Sequence, residues 1–224
     1  EANIVGSAAI HPFQQNIRNT WKSMGGMGYV ASAPEVRPKG YIRSLFLKMF
    51  KDMNQTGIAL SELFAFKQDF YDRLGYVNLP PNMRLNVSPT HLRKWKDCPP
   101  GYHVERRQFQ NFSANYKEAY NRIIESKNIH GSTRRDETWW KNISIGNNHW
   151  IVVALNGSEI KGFATYRYLN INESIFPKNS CIIGDMLWMD LDARNALFHY
   201  FYTHKDQFDY LLFPLKTEIG RAHV

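Results

Sequence analysis

The fold of this chain is decided by the stretch from Met27 to Met53, which reads MGYVASAPEVRPKGYIRSLFLKMFKDM. An apolar segment ends at Pro34, and a basic turn follows it before a helical pattern begins. The helix is predicted because apolar residues recur at spacings of three and four along one face, namely Ile42, Leu45, Phe46, Met49, Phe50 and Met53. Gly57 is predicted to end this helix.

The turn before the helix has the composition of a phosphate-binding loop. Arg37, Lys39 and Arg43 are cationic, and Gly40 has no Cβ that would keep an anion away from the backbone. The first N–H groups of a helix have no intrahelical partners and carry the positive end of the helix dipole. We therefore expect the turn to bind the pyrophosphate of a nucleotide or of coenzyme A.

Other phosphate motifs do not fit. The stretch from Gly26 to Ala31 loosely matches a dinucleotide fingerprint, but it precedes Pro34 instead of opening a helix. The sequence contains no Gly-x-x-x-x-Gly-Lys-Ser/Thr motif, so it does not predict a nucleoside triphosphatase.

The composition is that of a globular protein. At 224 residues and 43% hydrophobic content, the chain can form one large domain or two smaller ones. Two cysteines, Cys98 and Cys181, argue against a disulfide framework, and no spacing of ligand residues predicts a metal site. No segment is long and apolar enough for a membrane span, and the expected location is cytoplasmic. The net charge of +8 is scattered along the chain, so no nucleic-acid partner is expected.

The motif Arg37-Pro38-Lys39-Gly40-Tyr41-Ile42-Arg43 resembles the acetyl-CoA signature of the GCN5-related N-acetyltransferases (GNAT): Arg or Gln, two residues, Gly, one residue, then Gly or Ala. It departs from that signature at Ile42, where the Eis (enhanced intracellular survival) branch commonly has a bulky residue. The stretch Met24–Ala31, the later Phe-Tyr-x-x-x-Gly-Tyr at residues 70–76 and Arg135–Trp140 also resemble that branch. The resemblance implies an α/β (α+β) fold of tandem GNAT-like domains, each a mixed central sheet flanked by helices, with a degenerate second copy.

The predicted domains are residues 1–98, an N-terminal acetyltransferase domain missing its first elements, and residues 102–217, the degenerate copy. A hairpin is expected from Ile4–Ala9 and Thr20–Met24, a strand at 58–66, and a short helix and a strand start at 70–76. In the second domain we expect a helix around 116–124, another at 134–143, a hairpin around Asn156-Gly157, a strand at 182–188, a helix at 192–205 and a strand at 210–214. Asp190 and Asp192 at the start of that last helix should repel a pyrophosphate.

The chain is expected to be a fragment, truncated at both ends. Residues 219–224 resemble an in-frame translation of a sequencing adapter and are predicted to be a non-native tail. The Eis resemblance implies a further C-terminal domain similar to sterol carrier proteins.

The resemblance also implies the roles of individual residues. Acetyl-CoA is the expected co-substrate, with no metal, and the proton donor to the departing thiolate is expected to be Tyr71. The expected cofactor-binding residues are Val30, Ala31, Ser32, Arg37, Pro38, Lys39, Gly40, Tyr41, Ile42, Arg43, Phe66 and Lys67. Without the resemblance, Tyr71 and Tyr76 would both be read as core aromatics, and Lys67 as a surface charge.

The expected function is acetyl transfer to a primary amine of a small cationic molecule or to a lysine, in a direct ternary complex. Aminoglycosides, polyamines and peptide amines all remain open as acceptors, and a homo-oligomer, a hexamer, is implied by resemblance alone. The general base is expected at a C-terminal carboxylate outside this chain, and none of the eight histidines is favoured; His11, His91 and His130 are assigned to loops. The alternative is a catalytically silent acyl-CoA-binding or assembly protein. Ile42 and Pro38 favour it, since proline donates no N–H in the turn.

Overall fold

The computed structural model describes residues 4–78, 83–108, 113–137, 140, 149–169 and 179–215. The elements follow in this order along the chain: β1 Gly6–Ile17, β2 Thr20–Ser32, a 3-10 turn Pro34–Lys39, α1 Tyr41–Gln55, β3 Leu60–Leu63, α2 Gln68–Asp72, β4 Met83–Val87, a 3-10 turn Pro89–Trp95, β5 Tyr102–Gln108, α3 Ser113–Ser126, β6 Thr133–Arg134, β7 His149–Asn156, β8 Glu159–Tyr168, β9 Ser180–Trp188, α4 Leu191–Tyr202 and β10 Tyr210–Leu215. They form two compact units. Unit 1 holds the residues up to 79 with Asn128–Asp136, and unit 2 holds Pro80–Lys127 and the residues from Glu137 onward.

Unit 1 is built on a long hairpin of β1 and β2, which lies in a sheet of order β3-β2-β1-β6. The predicted hairpin is confirmed, but both strands are longer than expected. Arg18 and Asn19 form its two-residue turn, and both have positive φ angles, as the turns that suit a hairpin's twist require. The strand predicted at 58–66 is shorter, because its pairing with β2 ends at Leu63 and Phe64 is 99% exposed. The helix predicted near residue 70 is α2, whereas residues 76–78 form no strand.

Helix α1 covers one face of that sheet, as its apolar stripe predicts. Phe46, Met49 and Met53 are buried against Met27 of β2 and Tyr71 of α2. Burial of each such side chain contributes about 1.5–3 kcal/mol relative to exposure. The helix ends at Gln55, and Gly57 follows with a φ of 75°. The predicted end of the helix is therefore confirmed.

Unit 2 contains a six-stranded sheet of order β4-β10-β9-β8-β7-β5, in which β10 runs parallel to β9. The hairpin predicted around Asn156-Gly157 joins β7 to β8, and Gly157 has a φ of 59°. The predicted elements at 116–124, 182–188, 192–205 and 210–214 correspond to α3, β9, α4 and β10. The helix predicted at 134–143 is not observed at its start, because Thr133 and Arg134 pair with β1 as β6. Residues 138, 139 and 141–143 of that segment lie outside the described residues.

The division between the units differs from the predicted boundary at residues 98–102. Residues 83–87 form β4, which pairs antiparallel with β10, so that Val87 lies opposite Leu211. Leu92 of the second 3-10 turn is buried in the unit 2 core. The prediction followed the prolines at Pro99 and Pro100, and a five-residue edge strand shows too little periodicity to correct it.

The unit 2 core contains a buried histidine. His204 is 8% exposed, its Nδ1–H donates to the carbonyl oxygen of Tyr200 at 2.9 Å, and its ring stacks on Phe208. Burial lowers the pKa of His204 below its ordinary value of 6.5. The unfolded chain therefore takes up this proton at a higher pH than the folded protein does, and stability present above pH 6.5 is lost as the pH falls below it.

We expect the free energy of unfolding to fall between pH 7.5 and pH 5.5, with a contribution from His204 of up to about 1.4 kcal/mol per pH unit. Urea denaturation at both pH values measures it. The difference should shrink in His204→Gln and persist in His91→Gln, since His91 is exposed. An unchanged difference in His204→Gln would contradict the assignment.

Among the described residues, no helix is long and apolar enough to cross a membrane. Within the same ranges, no group of three His, Cys, Asp or Glu side chains is placed to hold a metal ion.

Candidate active site

Strand β2 contains a β-bulge at Tyr29 and Val30. The register of β1 on β2 slips there, because these two residues lie opposite the single residue Ala8. Tyr29 has a positive φ of 53°, and its carbonyl oxygen accepts a hydrogen bond from Ser7 Oγ at 3.0 Å. Val30 packs against the unit 1 core, whereas Tyr29 is 74% exposed. A bulge re-aims the residues around it, which is why such irregularities occur beside active sites.

Among the described residues, no strand lies beside one edge of β2 from Gly28 onward. β3 runs parallel to β2 and pairs with it from Leu60 opposite Met24 to Leu63 opposite Met27. In the described part of unit 1, residues 28–32 of β2 have β1 on one side and no strand on the other. The predicted residues Val30, Ala31 and Ser32 therefore lie on an open edge, where an extended ligand can form main-chain hydrogen bonds.

The turn that follows this edge leads directly into the N-terminus of helix α1. The 3-10 turn Pro34–Lys39 leads to Gly40, whose φ is 77°, and α1 begins at the next residue. In the described part of the chain no side chain caps α1, and its first turn has no acidic residue. A Cβ on Gly40 would meet nothing within 4 Å, so the backbone is open to solvent there. Arg37 and Lys39 are exposed beside it. This is the geometry of an anion site at a helix N-terminus.

The remaining motif residues have different environments. Ile42 packs into the unit 1 core, where its Cδ1 lies 3.3 Å from the position of a Cβ on Gly6. Its bulk is therefore accommodated on the core side of the helix. Arg43 Nη1 donates at 3.5 Å to the carbonyl oxygen of Arg73, which follows α2. Tyr41 is 46% exposed. The side chain of Pro38 is not among those that the structure describes.

Tyr71 lies in an aromatic cluster beneath α1. Its ring centroid is 5.0 to 6.0 Å from those of Phe46, Phe66, Phe70 and Tyr76. Tyr71 is 3% exposed, and burial raises the pKa of its phenol. Within the described ranges the Tyr71 hydroxyl has no hydrogen-bond partner, whereas the Tyr76 hydroxyl is paired with Ser61 Oγ. Among the described residues, the Tyr76 hydroxyl is therefore hydrogen-bonded and the Tyr71 hydroxyl is not.

Phe66 and Lys67 lie just before α2, at the rim of this cluster. Phe66 is 75% exposed, and its ring meets that of Tyr71 edge to face. Lys67 has an extended backbone, and its side chain is exposed. Phe66 therefore contacts the predicted proton donor, while no described contact ties the Lys67 side chain to the site.

Unit 2 repeats this construction without the phosphate turn. In β9, Gly184 and Asp185 lie opposite the single residue Thr165, and α4 then leads to the parallel strand β10. Here only residues 189 and 190 separate strand and helix, compared with residues 33–40 in unit 1. Asp190 caps the helix through Ala193 N at 2.8 Å. The prediction that carboxylates occupy this helix start is confirmed.

The gap between β9 and β10 is also occupied in unit 2. Their pairing extends from Tyr210 opposite Ser180 to Leu212 opposite Ile182. At the next residue of β9, the carbonyl oxygen of Ile183 accepts a hydrogen bond from Arg84 Nη1 at 3.2 Å. An extended ligand entering this gap would have to displace the Arg84 guanidinium.

Replacing the unit 2 helix cap should lower stability and leave ligand binding unchanged. Asp190 accepts from Ala193 N, and its second oxygen accepts from the Tyr102 hydroxyl at 2.9 Å. We expect Asp190→Ala to reduce the free energy of unfolding by about 1–2 kcal/mol, measured by urea denaturation. Asp190→Asn, which keeps an acceptor oxygen, should lose less. Tighter acetyl-CoA binding by Asp190→Ala would place a cofactor site in unit 2 and contradict this view.

Residues 1–78 match a family model described as an acetyltransferase (GNAT) domain, and residues 131–216 match a second model with the same description. The chain belongs to the GNAT acetyltransferases. The two matches correspond to the two bulged strand-helix-strand arrangements, so both units are GNAT domains. No curated protein matches the sequence significantly.

Solved structures share the tandem GNAT fold. A probable N-acyltransferase from Enterococcus faecalis is 22% identical with a TM-score of 0.75, over 93% of this chain and 51% of that one. A GCN5-related N-acetyltransferase from Anabaena variabilis is 16% identical with a TM-score of 0.82, over 96% and 54%. Eis1 from Mycobacterium abscessus is 16% identical with a TM-score of 0.78, over 97% and 56%. The chain therefore spans about half the length of these proteins, and the resemblance to the Eis branch is confirmed at the level of the fold.

Two features of this candidate site were not predicted from the sequence. The bulge at Tyr29 was not predicted, because nothing in the apolar stretch marks a tyrosine that adopts a positive φ. His11 was assigned to a loop, but it lies in β1, and its ring is 5.5 Å from that of Tyr29. The glycines Gly26 and Gly28 were the available signal, since they leave room for rings from the neighbouring strand.

Proposed function

We propose that this protein is an acetyl-CoA-dependent N-acetyltransferase whose site lies in unit 1. The observation that carries the proposal is the open, uncapped start of α1 directly after the open edge of the bulged strand β2. A single extended ligand with a pyrophosphate at one end and a thioester at the other fits both features. The α1 N–H groups, with Arg37 and Lys39, would hold the pyrophosphate. The backbone of Val30–Ser32 would hold the pantetheine arm and the thioester.

Bound acetyl-CoA supplies an activated acetyl group, and the chain supplies orientation and a proton. Polarisation of a thioester carbonyl needs hydrogen-bond donors fixed in advance, and the bulged backbone at Val30 is a rigid source of them. Tyr71 would give its hydroxyl proton to the departing sulfur. Since burial raises the pKa of Tyr71, the phenol stays protonated at neutral pH and acts as an acid, not as a base.

The proposed acceptor is a primary amine on a small cationic molecule or a lysine, which attacks the bound thioester directly in a ternary complex. Glu62 gives unit 1 a carboxylate near the open edge, since it lies on β3 one residue before the pairing with β2 ends. Polyamines, aminoglycosides and peptide amines all carry such an amine. An assay that offers each class in turn as the acceptor distinguishes them.

The rival is a silent acyl-CoA-binding protein with the same fold. Its support from Ile42 is weakened, because that side chain packs into the core instead of over the N–H groups of α1. The Tyr71 hydroxyl, which has no partner among the described residues, favours the enzyme, since a purely structural tyrosine in a cluster usually has a partner, as Tyr76 does.

The test is acetyl-CoA-dependent thiol release by the chain, assayed against polyamines, aminoglycosides and lysine peptides. Release with one acceptor class would establish the enzyme and name its substrate class. A folded protein that binds acetyl-CoA, shown by calorimetry, but releases no thiol with any acceptor would favour the silent binder. A folded protein that does not bind acetyl-CoA would refute both readings.

A further inference from the structure

We propose that His11 is the general base, the group that removes a proton from the acceptor ammonium before it attacks the thioester. The inference rests on the proposed function and assigns within this chain a role that the sequence placed outside it.

Only one face of that sheet is covered by described helices. A Cβ on Gly25 would lie 2.8 Å from Met53 Cε of α1, so Gly25 faces that helix. Gly26 and Gly28 do not: a Cβ on either would meet the rings of β1, not α1. Tyr71 of α2 belongs to the same core as α1. An acceptor therefore has to approach the thioester from the face opposite α1.

His11 lies on that opposite face and next to the bulge. Its Nε2 is 3.4 Å from the position of a Cβ on Gly28, and its ring is 5.5 Å from the exposed ring of Tyr29. Gly28 precedes Val30 by two residues, and two residues of chain span at most about 7 Å, and less across the bulge at Tyr29. That distance accommodates an amine nitrogen, or one bridging water, between the imidazole and the proposed thioester position.

The imidazole has a lone pair available for this role. Among the residues that the structure describes, neither nitrogen of His11 has a hydrogen-bond partner, and the side chain is half-buried. His130 of the same unit is different, since its Nδ1 accepts from the backbone N–H of Arg18 at 3.2 Å. Histidine is the side chain that most often serves as a general base in enzymes.

Within the described residues, Tyr29 and Glu62 are the titratable groups on this face nearest His11, and Lys22 lies further along β2, opposite Gln15. The Tyr29 hydroxyl belongs to the neighbouring ring, and Glu62 lies two strands away in register with Gly26, where Gln15 Nε2 donates to its carboxylate. The Glu62 carboxylate favours the approach of a cationic acceptor. The Phe13 ring, which lies over Gly26 between them, provides an apolar floor.

Protons and electron pairs balance in the transfer of the acetyl group from acetyl-CoA to the acceptor amine. Nε2 takes one proton from the ammonium, and the amine lone pair forms the N–C bond to the acetyl carbon as the C–S bond breaks. Tyr71 gives its proton to the thiolate sulfur, and the second proton released by the acylated nitrogen replaces it. The His11 imidazolium then loses its proton to water, so one proton is released per acetyl group transferred.

The test compares wild-type protein with His11→Gln, and with His130→Gln as the control, in thiol-release assays from pH 7 to pH 9.5. We expect kcat of His11→Gln to fall at least about tenfold at pH 7, with the acetyl-CoA Kd unchanged. The loss should narrow as pH rises, because alkylamines with a pKa of about 10.4 lose their proton unaided. It should also be smaller for an acceptor with an α-amino group, whose pKa is about 8. His11→Glu, which restores a proton acceptor, should recover part of the rate.

The results of this test distinguish a failure of the proposed acetyltransferase function from a failure of the role of His11 alone. A wild-type protein that releases no thiol at any pH overturns the proposed function and this inference with it. An active wild type combined with a pH-independent loss in His11→Gln, or with kcat within about twofold of wild type at pH 7, overturns the role of His11 alone. Unchanged acetyl-CoA binding by each variant shows that unit 1 is folded.

Discussion

Gly40→Glu is expected to abolish acetyl-CoA binding, with Kd raised by at least about 100-fold in isothermal titration calorimetry. Gly40 has a φ of 77° and nothing within 4 Å of its Cβ position, so the new side chain projects into the space in front of α1. Its carboxylate would meet the phosphates where the helix N–H groups now face solvent. Both the steric block and the charge act against the same ligand group.

A matched control exists in the same helix. Gly57 has a φ of 75° and an equally open Cβ position, but it follows the C-terminal end of α1. Gly57→Glu therefore adds the same charge and a similar backbone strain, roughly 1–2 kcal/mol, away from the turn. We expect Gly57→Glu to lose more stability, since its carboxylate lies at the negative end of the α1 dipole, and only Gly40→Glu to lose binding. Equal acetyl-CoA Kd values for Gly40→Glu and Gly57→Glu would show that acetyl-CoA does not bind at this turn.

Tyr71→Phe is expected to lower kcat about 100-fold while sparing acetyl-CoA binding. The change removes a hydroxyl that would protonate the departing sulfur, and it leaves the ring in place among Phe46, Phe66 and Phe70. Because that hydroxyl has no partner in the described ranges, little stability should be lost. Steady-state kinetics, calorimetry and urea denaturation measure the three quantities.

Tyr76→Phe provides the opposite pattern. It breaks the hydrogen bond with Ser61 Oγ, which should reduce the free energy of unfolding by about 0.5–1.5 kcal/mol and leave kcat near the wild-type value. If the two variants reduced kcat equally, the effect would come from packing of the shared cluster. If Tyr71→Phe left kcat intact in an active enzyme, another group would have to protonate the thiolate.

The basic turn and the helix that follows it were predictable because their signals are local. The stripe from Ile42 to Met53, the glycine at 40 and the cations beside it all lie within one short stretch, and each acts on its immediate neighbours. The same holds for the hairpin at Asn156-Gly157 and for the Asp190 cap, where the residue type determines the backbone geometry.

Other features depended on residues distant in sequence. β4 was missed because its partner, β10, lies more than 120 residues further along the chain. The availability of the Tyr71 hydroxyl, as opposed to that of Tyr76, depends on where Ser61 lies. The position of His11 beside Tyr29 depends on the register of the hairpin and on the bulge that shifts it.

The sequence by itself determined that this protein has a helix with a cationic, glycine-opened start, that it resembles the GNAT acetyltransferases, and that the helix start of its second domain carries carboxylates. Only the tertiary structure decided which edge of β2 has no strand beside it in the described residues, that the Tyr76 hydroxyl is the one paired with Ser61, and that His11 lies beside Tyr29. The reason is physical: helix periodicity, caps and turns follow from neighbouring residues, whereas strand pairing, burial and hydrogen-bond partners follow from contacts between distant ones.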